Sequence, residues 1–123
     1  LKLIRETRCK KIGIIGLSFK ANTDDLRESP MVDLAESLVG WGIDVKIYDP
    51  NVTLARLRGR NLSYIDLHLP HLAQLLSTEL ESVLSHAELL VLTNDVANDL
   101  DLASKFPGKI IDLRFDLAKP VVS

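Results

Sequence analysis

Apolar residues along this chain fall into two rhythms, and the rhythms alternate. Ile12-Gly13-Ile14-Ile15 is apolar without a break, which predicts a strand over residues 11–17 covered on both faces, as in a parallel sheet. Pro30 to Val39 carries its apolar side chains on one helical face, behind a start signal of Ser29 as N-cap and Pro30 at the first helical position. Gly40-Trp41-Gly42 ends that helix, glycine suiting a left-handed cap. Ile43 to Tyr48 alternates and meets the turn residues Asp49-Pro50-Asn51, which predicts a second strand. Strand, loop, helix and strand in this succession predict a right-handed parallel crossover.

Weaker signals follow. Asn51 to Leu57 reads as a short helix ending near Gly59, and Asn61 to Leu69 as another, halted before Pro70. Leu72 to Leu76 is ambiguous, with a short strand at Leu75-Leu76 as one reading. Thr78-Glu79-Leu80-Glu81 matches a capping box and opens a helix to Ala87. Glu88 to Thr93 is a strand, Asp95 to Phe106 a last helix closed by Pro107-Gly108, and Lys109 to Leu113 a final buried strand. The expected fold is a single α/β domain. Its sheet is doubly wound, mostly parallel and Rossmann-like, with four or five strands in a three-layer α/β/α arrangement.

Composition narrows the partners. The 123 residues suffice for one domain, and 46% hydrophobic with 26% charged residues is ordinary for a soluble one. A net charge of −2 gives no global pull on polyanions, so neither nucleic acid nor an anionic membrane is an expected partner. No apolar run reaches the length of a transmembrane helix, the amino terminus has no signal-peptide pattern, and a cytoplasmic location is expected. One cysteine, Cys9, excludes an internal disulfide. The chain opens on Leu1 in a run, Leu1 to Arg5, that reads as the middle of a helix. It is therefore expected to be cut from a longer protein, with residues 1–9 the end of a preceding helix or linker.

Candidate chemistry concentrates between the first strand and the first helix, in Gly16-Leu17-Ser18-Phe19-Lys20-Ala21-Asn22-Thr23-Asp24-Asp25-Leu26-Arg27-Glu28-Ser29-Pro30. Open α/β sheets bind ligands at this place, beyond the carboxyl end of a strand. Lys20 meets a phosphate as a point charge and Arg27 bidentately, with Thr23 and Ser29 hydroxyls and a helix amino terminus beside them. Against that, Lys20 and Arg27 could simply pair with Asp24, Asp25 and Glu28. On the residues alone the two readings stand level. Gly13-x-x-Gly16 lacks the glycines of a dinucleotide fingerprint, so Asp49, where a ribose-binding acid would stand, reads rather as a turn cap. There is no phosphate-loop GK[ST] motif. His68, His71 and His86 lack metal-ligand spacing. Arg114, just past the last strand, reaches the same sheet edge as Lys20; its alternatives are a ligand contact or pairing with Asp112 or Asp116.

The same fifteen residues resemble the motif G-[LF]-[AS]-F-K-x-x-T-[DG]-D-x-R-x-S of the UDP-glucose/GDP-mannose dehydrogenase family, and the likeness runs through the rest of the chain as that family's carboxy-terminal, nucleotide-sugar-binding domain. Asn61-Leu62-Ser63-Tyr64-Ile65 and Leu69-Pro70-His71-Leu72 look most like the GDP-mannose 6-dehydrogenase branch.

The resemblance implies an NAD-dependent oxidation of a nucleotide sugar, of GDP-mannose or UDP-glucose type, at C6 to the carboxylate. Two NAD are used, through thiohemiacetal and thioester intermediates on a cysteine. An amino-terminal NAD-binding domain and a central part holding that cysteine would lie outside this chain, and Cys9 lacks the catalytic cysteine's surroundings. Residue by residue, Phe19 and Lys20 match a pair contacting the nucleotide sugar, and Arg27 matches an arginine reaching NAD. Arg114 matches a substrate-touching arginine, although Asp112-Leu113-Arg114 here replaces the D-x-R-N run common in UDP-glucose enzymes. The family also implies a homo-oligomer and no turnover by this portion alone. The rival reading is a stand-alone nucleotide-binding or interaction module of the same fold without catalysis.

Overall fold

The structure, a computed structural model, describes residues 8–17, 30–50, 52, 63, 67, 72–93 and 101–113. In chain order the elements are β1 (Lys11–Ile15), α1 (Pro30–Gly40), β2 (Asp44–Tyr48), α2 (Leu72–Leu75), α3 (Leu80–His86), β3 (Leu89–Leu92), α4 (Leu102–Lys105) and β4 (Lys109–Asp112). The four strands form one sheet in the order β2-β1-β3-β4, and all three pairings are parallel. The predicted α/β fold is therefore the observed one.

Strand position follows from apolar pattern. β1 and β3, with the uninterrupted apolar runs, take the two central places, and all four residues of β3 are buried. β2 alternates, burying Val45 and Ile47 while Lys46 and Tyr48 are half-buried, and lies at an edge. A strand flanked by strands and covered above and below has no face left for polar groups.

Register sorts the side chains onto two faces. Ile12, Ile14, Val45, Ile47, Leu89, Val91 and Ile111 point to one side, where Met31, Val32, Leu34, Ala35 and Leu38 of α1 cover them. The spacing of residues 31, 34, 35 and 38 is one stripe of a helix. Ile15, Leu90 and Leu92 point to the other side, beneath Val83 and Leu84 of α3 and Leu102 of α4. This layering is required by the strand order. The first crossover moves outward from β1 to β2, and the next two move back past β1 in the opposite direction. Connections of one hand must then lie on opposite faces.

Gly13 shows how closely the second layer approaches. A Cβ there would come within 2.6 Å of Val83 Cγ1 and 2.9 Å of Leu90 Cδ2, so α3 packs directly on the β1 backbone.

The end of α1 is a Schellman motif, in which Ile43 N–H donates to Leu38 O at 3.1 Å and Gly42 N–H to Val39 O at 3.0 Å. Gly42 has φ +81° and is the left-handed residue expected from Gly40-Trp41-Gly42.

Two expected helix starts are corrected. Thr78 is not an N-cap: α3 begins after Glu79, which is extended and makes no side-chain cap bond. The reason lies one residue upstream, where Ser77 N–H donates to Ile47 O at 2.8 Å and Leu76 forms a parallel bridge to Ile47. The chain there is still attached to the sheet edge, and the Ser77 hydroxyl, donating to Glu79 O at 3.0 Å, forms the turn instead. The strand considered at Leu75-Leu76 reduces to that one bridge, after the short helix α2. The last helix does not run unbroken from Asp95 to Phe106, because Asp101 is left-handed (φ 48°, ψ 48°) and α4 starts only at Leu102. A left-handed residue interrupts a right-handed helix, and aspartate is among the few that tolerate the conformation. Ser29, most of the helices expected over Asn51–Leu57 and Asn61–Leu69, and residues 94–100 lie outside the described residues.

At the amino edge, Glu88 joins the central strands. Its Oε1 accepts from Lys10 N–H at 3.0 Å and Lys11 N–H at 3.1 Å, while its own N–H donates to Lys11 O at 2.8 Å.

Two outcomes follow. Gly42→Ala forces a side chain into positive φ and destabilises by about 1 kcal/mol, whereas Gly40→Ala, with open space around its Cβ, is neutral or stabilising in thermal unfolding. The Lys10 and then the Lys11 amide hold the Glu88 carboxyl below its ordinary 4.5. With the folded-state value depressed, the stabilisation from the tie is fully present above the ordinary value of 4.5 and is lost as pH falls through the lower, folded-state one. The stability gap between the unaltered protein and Glu88→Gln, measured by denaturant titration, should therefore shrink on acidification below pH 4.5; a pH-independent gap contradicts the assignment.

Candidate functional site

Parallel strands end on the same edge, and the four carboxyl ends of this sheet converge there. The winding reverses between β1 and β3, so the switch point of the sheet, where open α/β folds hold ligands, lies beyond Ile15 and Leu92. The segment leaving β1 at that point is the one carrying the candidate cations.

Its first residues are held from both sides. Gly16 N–H donates to Tyr48 O of β2 at 2.8 Å, and Leu17 N–H donates to Asp49 Oδ2 at 2.9 Å. From the β3 side, Thr93 N–H donates to Ile15 O at 3.1 Å. The Thr93 hydroxyl lies against Ile15 O at 2.9 Å and within hydrogen-bond reach of Gly16 O. Gly16 turns here with φ +102°, a conformation glycine adopts without steric cost. Leu17 is fully buried beyond the turn, in the α1-side core. Farther along the edge, Leu113 N–H donates to Leu92 O at 2.9 Å, which ties the residue before Arg114 to β3.

Asp49 is where sequence reasoning had weighed a ribose acid against a turn cap. Its side chain is 3% exposed and bonded to the β1 exit, and its carbonyl accepts Val52 N–H at 3.0 Å. The carboxylate is turned into the fold, as a cap is. Thr93 was not singled out in the sequence, and the sole signal was a hydroxyl at the end of an apolar central strand.

Phe19, Lys20, Arg27 and Arg114 themselves lie outside the described residues. What the structure describes is their attachment: Leu17 before the first two, Pro30 of α1 after Arg27, and Leu113 before Arg114. β4 is two strands from β1, a lateral distance of about 10 Å.

The other reactive side chains are elsewhere. Cys9 is half-buried against the α1-side core, ahead of β1. His86 Nε2 is 3.2 Å from Asp44 O and 3.6 Å from Asp44 Oδ1, at the amino edge of the sheet. Among the described residues no three His, Cys, Asp or Glu side chains come together as a metal set, and no helix is long and apolar enough to cross a membrane.

Comparison with known proteins agrees with the fold. A GDP-mannose 6-dehydrogenase of Pseudomonas aeruginosa is 46% identical over 113 residues, covering 90% of this chain and 26% of that protein. One of Azotobacter vinelandii is 45% identical over 106 residues. The chain thus spans about a quarter of the length of these curated relatives. Among solved structures, a ternary complex of the P. aeruginosa GDP-mannose dehydrogenase superposes with a TM-score of 0.78 over 91% of this chain. A UDP-glucose dehydrogenase of Pyrobaculum islandicum, 20% identical, shares the fold with a TM-score of 0.64. Residues 13–106 match the family model described as the UDP-glucose/GDP-mannose dehydrogenase family, UDP binding domain. The chain belongs to that family, as its nucleotide-binding α/β domain.

Proposed function

We propose that this chain is the carboxy-terminal, nucleotide-sugar-binding domain of an NAD-dependent sugar-nucleotide 6-dehydrogenase acting on GDP-mannose. The observation that carries the reading is the exit of the family motif from β1 at the switch point, held between β2 and β3. GDP-mannose is preferred to UDP-glucose because the relatives matching most of the chain are named GDP-mannose 6-dehydrogenases, although the family model is described as UDP-binding.

In this reading Phe19 and Lys20 contact the nucleotide sugar. Lys20 neutralises diphosphate charge as a point cation, and the α1 amino terminus adds its positive dipole end. Arg114, entering from β4, closes the far side with a bidentate contact. Their work is positioning and charge neutralisation, which lets bound substrate present C6 to a reacting partner.

The described residues do not themselves build a dinucleotide site. Gly13-x-x-Gly16 lacks the fingerprint glycines, and Asp49, the candidate ribose acid, is bonded to Leu17. NAD is therefore assigned to an amino-terminal domain outside this chain, with Arg27 reaching it across the cleft. The oxidation steps and the reactive cysteine are likewise assigned to the rest of the enzyme, residues 1–9 to the end of its preceding segment, and the assembly to a cytoplasmic homo-oligomer.

Titration calorimetry of the complete enzyme with GDP-mannose, UDP-glucose and UDP-N-acetylmannosamine should show GDP-mannose bound most tightly; preference for a UDP-sugar contradicts the assigned base. Lys20→Ala should weaken that binding by about 1–3 kcal/mol, the scale of a charge-assisted hydrogen bond, and unchanged KM and kcat would remove Lys20 from the site. Arg27→Ala should raise KM for NAD more than KM for the sugar.

A further inference from the structure

Among the described residues, two polar or charged side chains are buried, Asp49 at 3% and Thr93 at 4% exposure. They come from different strands, yet both terminate on the same three residues, 15–17. Asp49 follows β2 and accepts from Leu17 N–H. Thr93 follows β3, and its hydroxyl faces the carbonyls of Ile15 and Gly16. Burying a polar group is costly unless it is bonded, so two such groups on one short junction are not explained by filling the core. Leucine and valine, of similar shape, would fill the same volume.

Backbone bonds from Gly16 N–H to Tyr48 O and from Thr93 N–H to Ile15 O hold the start of the junction, and the two buried side chains add bonds on either side of its turn. β1 ends at Ile15, Gly16 turns with positive φ, and a glycine fixes its own backbone less than any other residue. Asp49 takes the amide side of the turn and Thr93 the carbonyl side, so the pair fixes the plane of the peptides on either side of Gly16. Lys20 is three residues beyond Leu17, and covalent geometry gives it at most about 11 Å of travel from that anchor.

We propose that Asp49 and Thr93 are positioning residues for nucleotide-sugar binding, acting through the β1 exit and touching no ligand. The inference rests on the nucleotide-sugar reading above. It assigns binding strength to side chains just past β2 and β3 that carry no charge complementary to a phosphate.

The test is calorimetric titration of the complete enzyme with GDP-mannose, with melting temperature measured on each variant. Thr93→Val and Asp49→Leu, which keep shape and remove the hydroxyl or carboxylate, should each weaken binding by about ten-fold or more. Thr93→Ser, which restores the hydroxyl, should bind within about two-fold of the unaltered enzyme, the rescue expected of a hydrogen-bond role. Val83→Ala is the control, since it loosens the α3 packing on β1 while leaving the hydrogen bonds of residues 15–17 in place. At a comparable fall in melting temperature it should bind as the unaltered enzyme does. If Thr93→Val fails to fold, Asp49→Leu against Val83→Ala decides the matter. Equal affinities across these variants overturn the positioning role alone. Absence of GDP-mannose binding by the unaltered enzyme overturns the functional reading and the positioning role with it.

Discussion

The fold depends on the burial of residues 12–15 of β1. With β2 on one side, β3 on the other, α1 above and α3 below, the strand past Lys11 has no room for polar side chains nor, at Gly13, for any side chain at all. Everything that β1 brings to function must therefore be delivered at its end. The chain leaves the sheet at the one place where the winding reverses, and the residues just past that end are bonded on both flanks. Position at the edge, rather than composition, makes this small and mildly acidic chain a candidate for an anionic ligand.

The two ends of the sheet are built differently. At the amino edge an exposed carboxylate, Glu88, accepts two backbone amides and joins β1 to β3. At the carboxyl edge the comparable ties are made by buried groups. A solvated tie is weakened by screening and acid, which matters little for a scaffold. A buried hydrogen bond holds its geometry and is costly to disrupt, as a ligand-bearing edge requires. The net charge of −2 agrees with this division, since attraction for phosphate has to be local.

Much of the scaffold was legible because its signals are local. An unbroken apolar run marked β1 as covered on both faces, alternation marked β2 as a strand, and Gly40-Trp41-Gly42 announced the end of α1, whereas β4, expected to be buried, lies at the sheet edge with only Ile111 of its four residues buried. The errors came from contacts distant in sequence or from one unusual backbone angle. Thr78-x-x-Glu81 fits a capping box, but Ser77 is bonded to Ile47, and the helix cannot start until that bond is passed. Asp101 looked like a helical residue and is left-handed. At the candidate site, the cations were read from a family motif, whereas physics alone left Lys20 between phosphate binding and pairing with its acidic neighbours. The Asp49 and Thr93 bonds were not readable, because they join residues 32 and 78 positions apart, and no local pattern records such a pairing.

The central claim is that nucleotide sugar binds at the carboxyl edge of the sheet, and amide chemical shifts of isotope-labelled protein titrated with GDP-mannose test it most directly. The account predicts perturbations concentrated at Gly16, Leu17, Thr93 and Leu113, with Lys11, Asp44 and His86 at the opposite edge unmoved. Perturbations centred on Lys11, Asp44 and His86, or none at Gly16 and Leu17 at saturating ligand, would contradict it.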